Sequence, residues 1–421
     1  MKRFLSKKWL SFAVMLMAAG TIYKLAFLNG PFYIQMQEFM HLTHTQLGNV
    51  ISLGGIVSTF ALLGAMFLTD RFSKRRMMSF AMIVNGLAGF ALALLPSYPI
   101  VMLLTGVFAL CSDMLFWPTM LKAVRLLGND SEQGRMFGFL ETGRGLMDTI
   151  VNFTALAIFA ALGSTAFGFS MAIVFYSVLN IVFGILVFIM VEDDEIVKLE
   201  SAAEKNKFAL SSIKNVVKNK YVWLVAFNIF MVYAAYSGIK YFVPFMNSVL
   251  GLSSVLASAY AIINSYGLKM VGGPIGGYLS DKVFHSPAKF ISTMFAITAV
   301  SLVLYTVLPL ERFPIVAVVI ISLLISGFLF CMRAVYFAPM SEVNVPQEFT
   351  GAAMSLGSFI GYLPGAFMNT IFGNILDQNP GYTGYKIVFW IMAGLCAVGI
   401  FVSLALVKSI KRIKEQQAAW V

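Results

Sequence analysis

The chain has 421 residues, of which 59% are hydrophobic and only 12% are charged, and its mean hydropathy is +0.84. Soluble domains usually carry about 25% charged residues, so this composition excludes a soluble globular protein and indicates that lipid covers most of the exterior. The net charge of +11 arises from basic residues at the ends of apolar segments. That placement is typical of membrane topology and lipid headgroups, so we expect no nucleic-acid partner.

Motifs for enzymatic chemistry are scarce. The three cysteines lie in apolar runs and the three histidines are scattered, without the spacing of a metal site. The sequence contains no Ser/His or His/Asp arrangement for catalysis and no Gly-x-x-x-x-Gly-Lys-(Ser/Thr) loop for ATP. We therefore expect neither an enzyme nor a cofactor nor a metal site, and no ATP-driven pump.

Twelve apolar segments follow one another along the chain, each near the 20 or so residues that cross a bilayer. We predict an all-α membrane protein with transmembrane helices at residues 9–34, 46–69, 77–95, 98–123, 135–162, 166–190, 220–246, 254–280, 288–309, 314–338, 348–376 and 383–408. The N-terminus resembles a signal peptide, but no small-residue cleavage site stands out before the next span. The first segment is therefore predicted to be a retained helix.

A charged stretch at residues 191–219 interrupts the apolar pattern. It predicts an N-terminal six-helix bundle at 1–190, a cytoplasmic linker at 191–219, and a C-terminal six-helix bundle with a short tail at 220–421. Nearly all Lys and Arg residues outside the spans fall on the side of the N-terminus, so the positive-inside rule places both termini in the cytoplasm.

The two halves look related. The run at residues 70–76 follows the second helix, and a similar run at 277–282 follows the eighth; later, residues 147–150 (MDTI) parallel residues 368–371 (MNTI). Each match is weak alone, but together and in order they predict a duplicated unit of six helices.

These features resemble the major facilitator superfamily, which implies two pseudo-symmetric six-helix bundles. The family's loop motif is Gly-x-x-x-Asp-(Arg/Lys)-x-Gly-x-(Arg/Lys)-(Arg/Lys). The first copy matches at Asp70, Arg71, Arg75 and Arg76, and the second copy matches at Gly277, Asp281 and Lys282. The resemblance implies a cytoplasmic gate formed by Asp70, Arg71, Asp281 and Lys282. Simple positive-inside anchoring is the alternative.

A narrower resemblance rests on three short runs, residues 20–24 (GTIYK), 141–145 (ETGRG) and 269–274 (KMVGGP). They are similar to the YihN-like inner-membrane proteins of enteric bacteria. This resemblance implies a multi-pass protein of the bacterial inner membrane, and it supplies no substrate.

Charged residues inside membrane spans are costly and usually functional. The predicted spans contain Lys24, Asp113, Glu141, Arg144, Asp148, Lys240, Lys269 and Arg333. In the superfamily, helices 1, 4, 7 and 10 line the central cavity and helices 3, 6, 9 and 12 face lipid, and none of these charges lies on the latter four. Because cations outnumber acids, we expect an anionic solute.

Several of these residues are candidates for solute binding. Lys24 and Lys240 lie at comparable depth in helices 1 and 7, and each is flanked by a tyrosine. The predicted binding residues are Tyr23, Lys24, Trp117, Lys240, Tyr241, Lys269 and Arg333. For Lys24 and Lys240 the alternative is snorkelling toward the outer interface.

Glu141, Arg144 and Asp148 are spaced i, i+3 and i+7, so they share one face of helix 5. Asp113 is expected nearby on helix 4. We expect Asp113, Arg144 and Asp148 to neutralise one another, either as a structural ion pair or as a proton-coupling network. Glu141 lies nearer the cytoplasm and is alternatively part of the gate.

The sequence thus predicts secondary transport of a small polar, anionic organic solute by alternating access, coupled to protons or to a counter-anion. We expect a monomer whose partners are the solute and the lipid bilayer. An efflux permease and a transport-fold sensor of an external metabolite are the alternatives.

Overall fold

The computed structural model describes residues 2–68, 72–127, 133–192, 216–343, 345 and 350–418. Within these ranges the chain is largely helical and holds no β-strand. Helix is present at each of the twelve predicted spans.

The described chain up to Met190 contains nine α-helices, and a π-helical segment at Leu110–Phe116 joins the sixth to the seventh. They are α1 (Lys2–Ala19), α2 (Tyr23–Ala26), α3 (Tyr33–Met40), α4 (His44–Leu68), α5 (Lys74–Ala93), α6 (Tyr98–Ala109), α7 (Trp117–Leu127), α8 (Gln133–Ala161) and α9 (Ala166–Met190).

From Lys220 onward the described chain contains ten further α-helices, with π-helical segments at Ile263–Gly267 and Leu279–Val283. They are α10 (Lys220–Ser237), α11 (Phe242–Ser248), α12 (Ser254–Ile262), α13 (Leu268–Tyr278), α14 (Pro287–Val307), α15 (Ile315–Val335), α16 (Pro339–Glu342), α17 (Thr350–Tyr362), α18 (Met368–Gln378) and α19 (Tyr382–Ala418). Short 3₁₀ turns lie at Gly238–Tyr241, Leu310–Arg312 and Leu363–Ala366.

Among the described residues, nine helical segments are long and apolar enough to cross a membrane. The other three predicted spans correspond to α4, to α12 with α13, and to α17 with α18. Helix α4 has 25 residues, roughly 37 Å at 1.5 Å per residue. A π-helical segment separates α12 from α13, and a 3₁₀ turn separates α17 from α18.

The chain divides into two compact units. The first comprises Met1–Leu199 and Leu252–Gly267, and the second comprises Glu200–Gly251 and Leu268–Val421. The predicted division placed residues 252–267 in the C-terminal bundle. In the first unit, α12 packs against α3 and α8, and the Gln35 amide donates a 3.0 Å hydrogen bond to the Ser258 hydroxyl. The predicted boundaries of the two bundles stay a prediction. Most of the predicted linker at 191–219 lies outside the described residues.

The first predicted span is interrupted between α1 and α2. The chain turns at residues 20–22, and the Ile22 carbonyl accepts a 3.1 Å hydrogen bond from the Asn85 amide on α5. Asn85 is fully buried and also donates to the Asn180 side chain on α9. A helix break inside a membrane needs such a partner for the freed carbonyl, so Asn85 stabilises the turn that precedes Tyr23 and Lys24.

Helices α1 and α8 approach closely near this turn. A Cβ atom at Gly20 would lie 2.5 Å from the Met147 Cβ, and one at Gly143 would collide with Leu16. Small residues permit such close packing between membrane helices. The contact brings the segment after Gly20 beside the part of α8 that carries Asp148.

Candidate functional site

A buried ion pair lies inside the first unit. The Lys24 ammonium contacts the Asp148 carboxylate and lies 3.5 Å from the Asp148 backbone carbonyl. The Tyr266 ring centroid lies 4.6 Å from the same ammonium. Lys24 is only 2% exposed, so it points into the unit, and the alternative of snorkelling is wrong for this residue.

Two hydrogen bonds in series hold the backbone carbonyl of Asp148. The Asn152 amide donates to the Asp148 backbone carbonyl at 2.7 Å, and the Tyr176 hydroxyl donates to the Asn152 side-chain oxygen at 2.7 Å. Both supporting residues are buried. Side chains from α8 and α9 therefore fix the helix turn that carries the carboxylate.

Asp113 lies in the π-helical segment between α6 and α7, where Tyr23 connects it to the neighbourhood of Lys24. Its carboxylate accepts a 3.0 Å hydrogen bond from the Tyr23 hydroxyl and a second one from the Ser58 hydroxyl on α4. No cation pairs with Asp113 in the part of the chain that the structure describes. Hydroxyl groups thus hold this carboxylate.

Arg144 forms an ion pair with Glu141 at 2.8 Å, one turn away on α8. Its guanidinium also lies 4.6 Å from the Trp117 ring centroid, and the Trp117 and Tyr23 rings meet edge to face at 6.1 Å. The predicted neutralisation of Asp113, Arg144 and Asp148 by one another is therefore wrong. Arg144 pairs with Glu141 on the same helix, and Asp148 pairs with Lys24, which follows the neighbouring helix break.

In the second unit, Arg333 on α15 lies among tyrosines. Its guanidinium carbon is 4.3 Å from the Tyr236 ring centroid and 5.8 Å from that of Tyr233, both on α10. The Tyr336 hydroxyl interacts with the guanidinium and lies 3.0 Å from the Tyr362 hydroxyl. Within the described ranges, no carboxylate forms an ion pair with Arg333.

Lys240 and Tyr241 are neighbours in sequence but differ in environment. Lys240 lies close enough to Arg333 for the two positive charges to interact. Tyr241 is fully buried, and its hydroxyl donates to the Asn369 backbone carbonyl at 2.7 Å. This placement makes Tyr241 a packing residue and argues against the predicted contact with solute.

The remaining candidates are exposed or lie outside the described residues. Lys269 is exposed in the first turn of α13. Asp281 and Lys282 are exposed in the π-helical segment after α13, where the Asp281 carbonyl contacts the His285 ring at 3.0 Å. Asp70 and Arg71 lie outside the described residues, so the cytoplasmic gate stays a prediction.

Sequence reasoning missed the aromatic and hydroxyl partners of the charged residues. These partners are Ser58, Asn152, Tyr176, Tyr233, Tyr236, Tyr266, Tyr336 and Tyr362. Tyr233 and Tyr236 had a usable signal, because their i, i+3 spacing places both rings on one face of α10. Tyr266 and Ser58 lie far from their partners in sequence and carry no such signal.

The model of the Major Facilitator Superfamily matches residues 9–369 of the chain. The chain belongs to this superfamily. The predicted fold, with twelve transmembrane helices in two related six-helix bundles, is therefore confirmed.

Relatives in this superfamily extend along most of the chain. Inner membrane protein YihN of Escherichia coli (strain K12) is 44% identical over 98% of both chains, which confirms the narrower resemblance. Two relatives from Bacillus subtilis (strain 168) are more distant. Its hexuronate transporter is 24% identical over 90% of this chain and 89% of its own. Its glycerol-3-phosphate transporter is 22% identical over 82% and 80%, respectively.

A solved structure agrees with this assignment at the level of fold. The bacterial homologue of the human lysosomal transporter Spinster, in an inward-facing and unoccupied conformation, matches with a TM-score of 0.78 at 12% identity. The match covers 96% of this chain and 98% of that one. The chain is thus a multi-pass membrane protein of a transporter family.

Proposed function

We propose that this chain is a secondary transporter of a small organic anion in the bacterial inner membrane. The observation that carries the proposal is Arg333, a guanidinium within a membrane span that contacts tyrosines and, in the described ranges, no carboxylate. An ionisable residue within a span usually marks a solute or ion pathway. Arginine binds planar carboxylates and phosphates through paired hydrogen bonds.

The distribution of charge supports the second unit as the anion-binding part. In the first unit, Lys24 and Arg144 each have a carboxylate partner. In the second unit, Lys240 and Arg333 are close enough to repel one another. A bound anion would relieve that repulsion, so the two cations favour a negatively charged group beside them.

The names of two relatives agree with this charge. Hexuronate and glycerol 3-phosphate, named in the B. subtilis transporters, are both small hydroxylated anions at neutral pH. The tyrosine hydroxyls beside Arg333 provide donors and acceptors that match such hydroxyl groups.

Coupling is proposed to occur in the first unit. Asp113 accepts hydrogen bonds from Tyr23 and Ser58 and, within the described chain, has no cation partner. A carboxylate of this kind is suited to gain and lose a proton during alternating access, as acids in proton-coupled transporters do. Exchange against a counter-anion is the competing mode, and an imposed pH gradient separates the two.

Uptake by proteoliposomes tests the proposal. The substrates would be radiolabelled D-glucuronate and glycerol 3-phosphate, with glucose and glycerol as neutral counterparts. We expect an anion to accumulate and Arg333→Gln to reduce its uptake at least ten-fold. Arg333→Lys should also lose most uptake, because an ammonium cannot reproduce the planar pair of hydrogen bonds. Arg312→Gln, in an exposed turn, is the matched control. Uptake of neutral solutes alone, or an unchanged Arg333→Gln, would contradict the proposal.

A further inference from the structure

A groove lies between α5 and α9 on the surface of the first unit. Its volume is about 370 Å³, within the range of about 300–1,000 Å³ that is usual for small-molecule pockets. The lining residues are Arg76, Ser79, Phe80, Ile83, Ile185 and Phe188.

The groove opens on an apolar outer face. Phe80 is 60% exposed, Phe188 is 48% exposed and Ile185 is 47% exposed. Exposed rings and branched side chains on a multi-pass protein lie against acyl chains. A ligand can therefore reach this groove directly from the bilayer.

One end of the groove is cationic. Arg76 lines it, and the Arg75 guanidinium lies 5.0 Å from the ring centroid of Phe188 on the opposite wall. These residues lie in the first turn of α5, beside Lys74, and Phe188 lies in the last turn of α9.

We propose that the groove binds an anionic phospholipid of the phosphatidylglycerol type. The headgroup phosphate lies beside Arg75 and Arg76, and an acyl chain occupies the apolar walls formed by Phe80, Ile83 and Ile185. Basic pockets between membrane helices bind anionic headgroups in this way. The attraction of the phosphate depends on the positive charge of the two arginines, which remains when their N–H groups also bond other residues. A soluble anion would gain nothing from the apolar walls.

The second repeat supplies a matched control. Arg76 is the third residue of α5, and its backbone N–H bonds the Ser73 hydroxyl at the start of the helix. Lys289 is the third residue of α14, with the same bond to Ser286. Lys289 is exposed and does not line the groove. Replacing Lys289 therefore measures how much a single cation at the start of a helix, outside the groove, contributes to binding of anionic lipid.

Native mass spectrometry of the full chain in detergent, titrated with phosphatidylglycerol or phosphatidylcholine of equal chain length, tests the site. We expect preferential binding of phosphatidylglycerol. Arg76→Gln should weaken it about five-fold, since one basic residue contributes about 1 kcal/mol to such binding, while Lys289→Gln leaves it unchanged. The double variant Arg75→Lys/Arg76→Lys keeps both positive charges and should retain the preference for phosphatidylglycerol. Ile83→Trp, which fills the groove and keeps the charges, should abolish it.

Four results would overturn the site. They are equal binding of the two lipids, an equal loss in Lys289→Gln and Arg76→Gln, full binding by Ile83→Trp, and displacement of the lipid by inorganic phosphate alone. The readout needs no transported solute. Failure here is therefore distinct from failure of the proposed transport function.

Discussion

Lys24 and Asp148 form an ion pair inside the first unit although 124 residues separate them. The aligned MDTI and MNTI runs place Asn369 at the position of Asp148 in the second repeat. There the backbone carbonyl of Asn369 accepts a bond from Tyr241, as that of Asp148 faces Lys24. The two repeats thus share a backbone contact, and only the first adds a pair of charges to it.

Breaking this ion pair on one side should be costly. Lys24→Gln or Asp148→Asn leaves a buried charge without its partner, and we expect either to lower stability by about 3–5 kcal/mol. The double variant removes both charges and should recover most of that loss. Thermal unfolding in detergent measures the effect, and Arg144→Gln, at a partly exposed pair, is the control. Additive losses in the double variant would show that the two side chains do not interact.

Asp113→Asn should separate coupling from solute binding. An amide keeps the size of the side chain, accepts from one of the two hydroxyls and donates to the other, but cannot take up a proton at neutral pH. We expect loss of accumulation driven by a pH gradient, while exchange of labelled for unlabelled solute continues. Counterflow and gradient-driven uptake in the same proteoliposomes measure the two rates. Equal rates of gradient-driven uptake in the variant and the wild type would remove Asp113 from coupling.

Two adjacent glycines on α13 should respond differently to alanine. A Cβ at Gly276 would collide with the backbone of Cys331 on α15, whereas one at Gly277 would meet nothing within 4 Å. Backbone cannot move aside as a side chain can, so Gly276→Ala should cost about 1–3 kcal/mol. Gly277→Ala should be neutral or slightly stabilising, because alanine favours helix over glycine. Melting temperatures compare the pair, and equal shifts would contradict the close packing.

The helix break at residues 20–22 should depend on Asn85. Replacing this residue with Leu leaves the Ile22 carbonyl buried without its donor, which costs about 1–3 kcal/mol. The control is Asn379→Ala, because the Asn379 amide, at the end of α18, bonds the Ile375 carbonyl one turn earlier. Thermal unfolding compares the two variants. Equal stability of Asn85→Leu and the wild type would mean that another group satisfies the carbonyl.

The positions of the helices could be predicted from sequence, but the pairing of the charges could not. Hydropathy alone located the segment that carries Lys24, because bilayer thickness sets span length. The turn after Gly20 brings Lys24 close to Asp148. It depends on the bond from Asn85 to Ile22 and on the close contact of Gly20 with Met147, and no local sequence pattern predicts these contacts. A straight α8 places Arg144 and Asp148 on one face. The helical period alone does not predict that Arg144 pairs with Glu141 and Asp148 with Lys24.

Asp113 shows the same limit in another way. It lies in a π-helical segment, where the hydrogen bonds span five residues instead of four and the side chains depart from the α-helical period. Its hydroxyl partners, Tyr23 and Ser58, lie on other helices, and no local spacing indicates them. The surplus of cations over acids in the predicted spans could be predicted, because it follows from counting charged residues in the sequence.

The pairing of Lys24 with Asp148 also bears on how membrane voltage acts on the protein. Moving one elementary charge through 100 mV costs about 2.3 kcal/mol, but opposite charges that remain together move no net charge. The first unit can therefore change conformation without electrical work from these two residues. Charge movement that follows a voltage step should therefore contain no contribution from Lys24 and Asp148 while they stay paired.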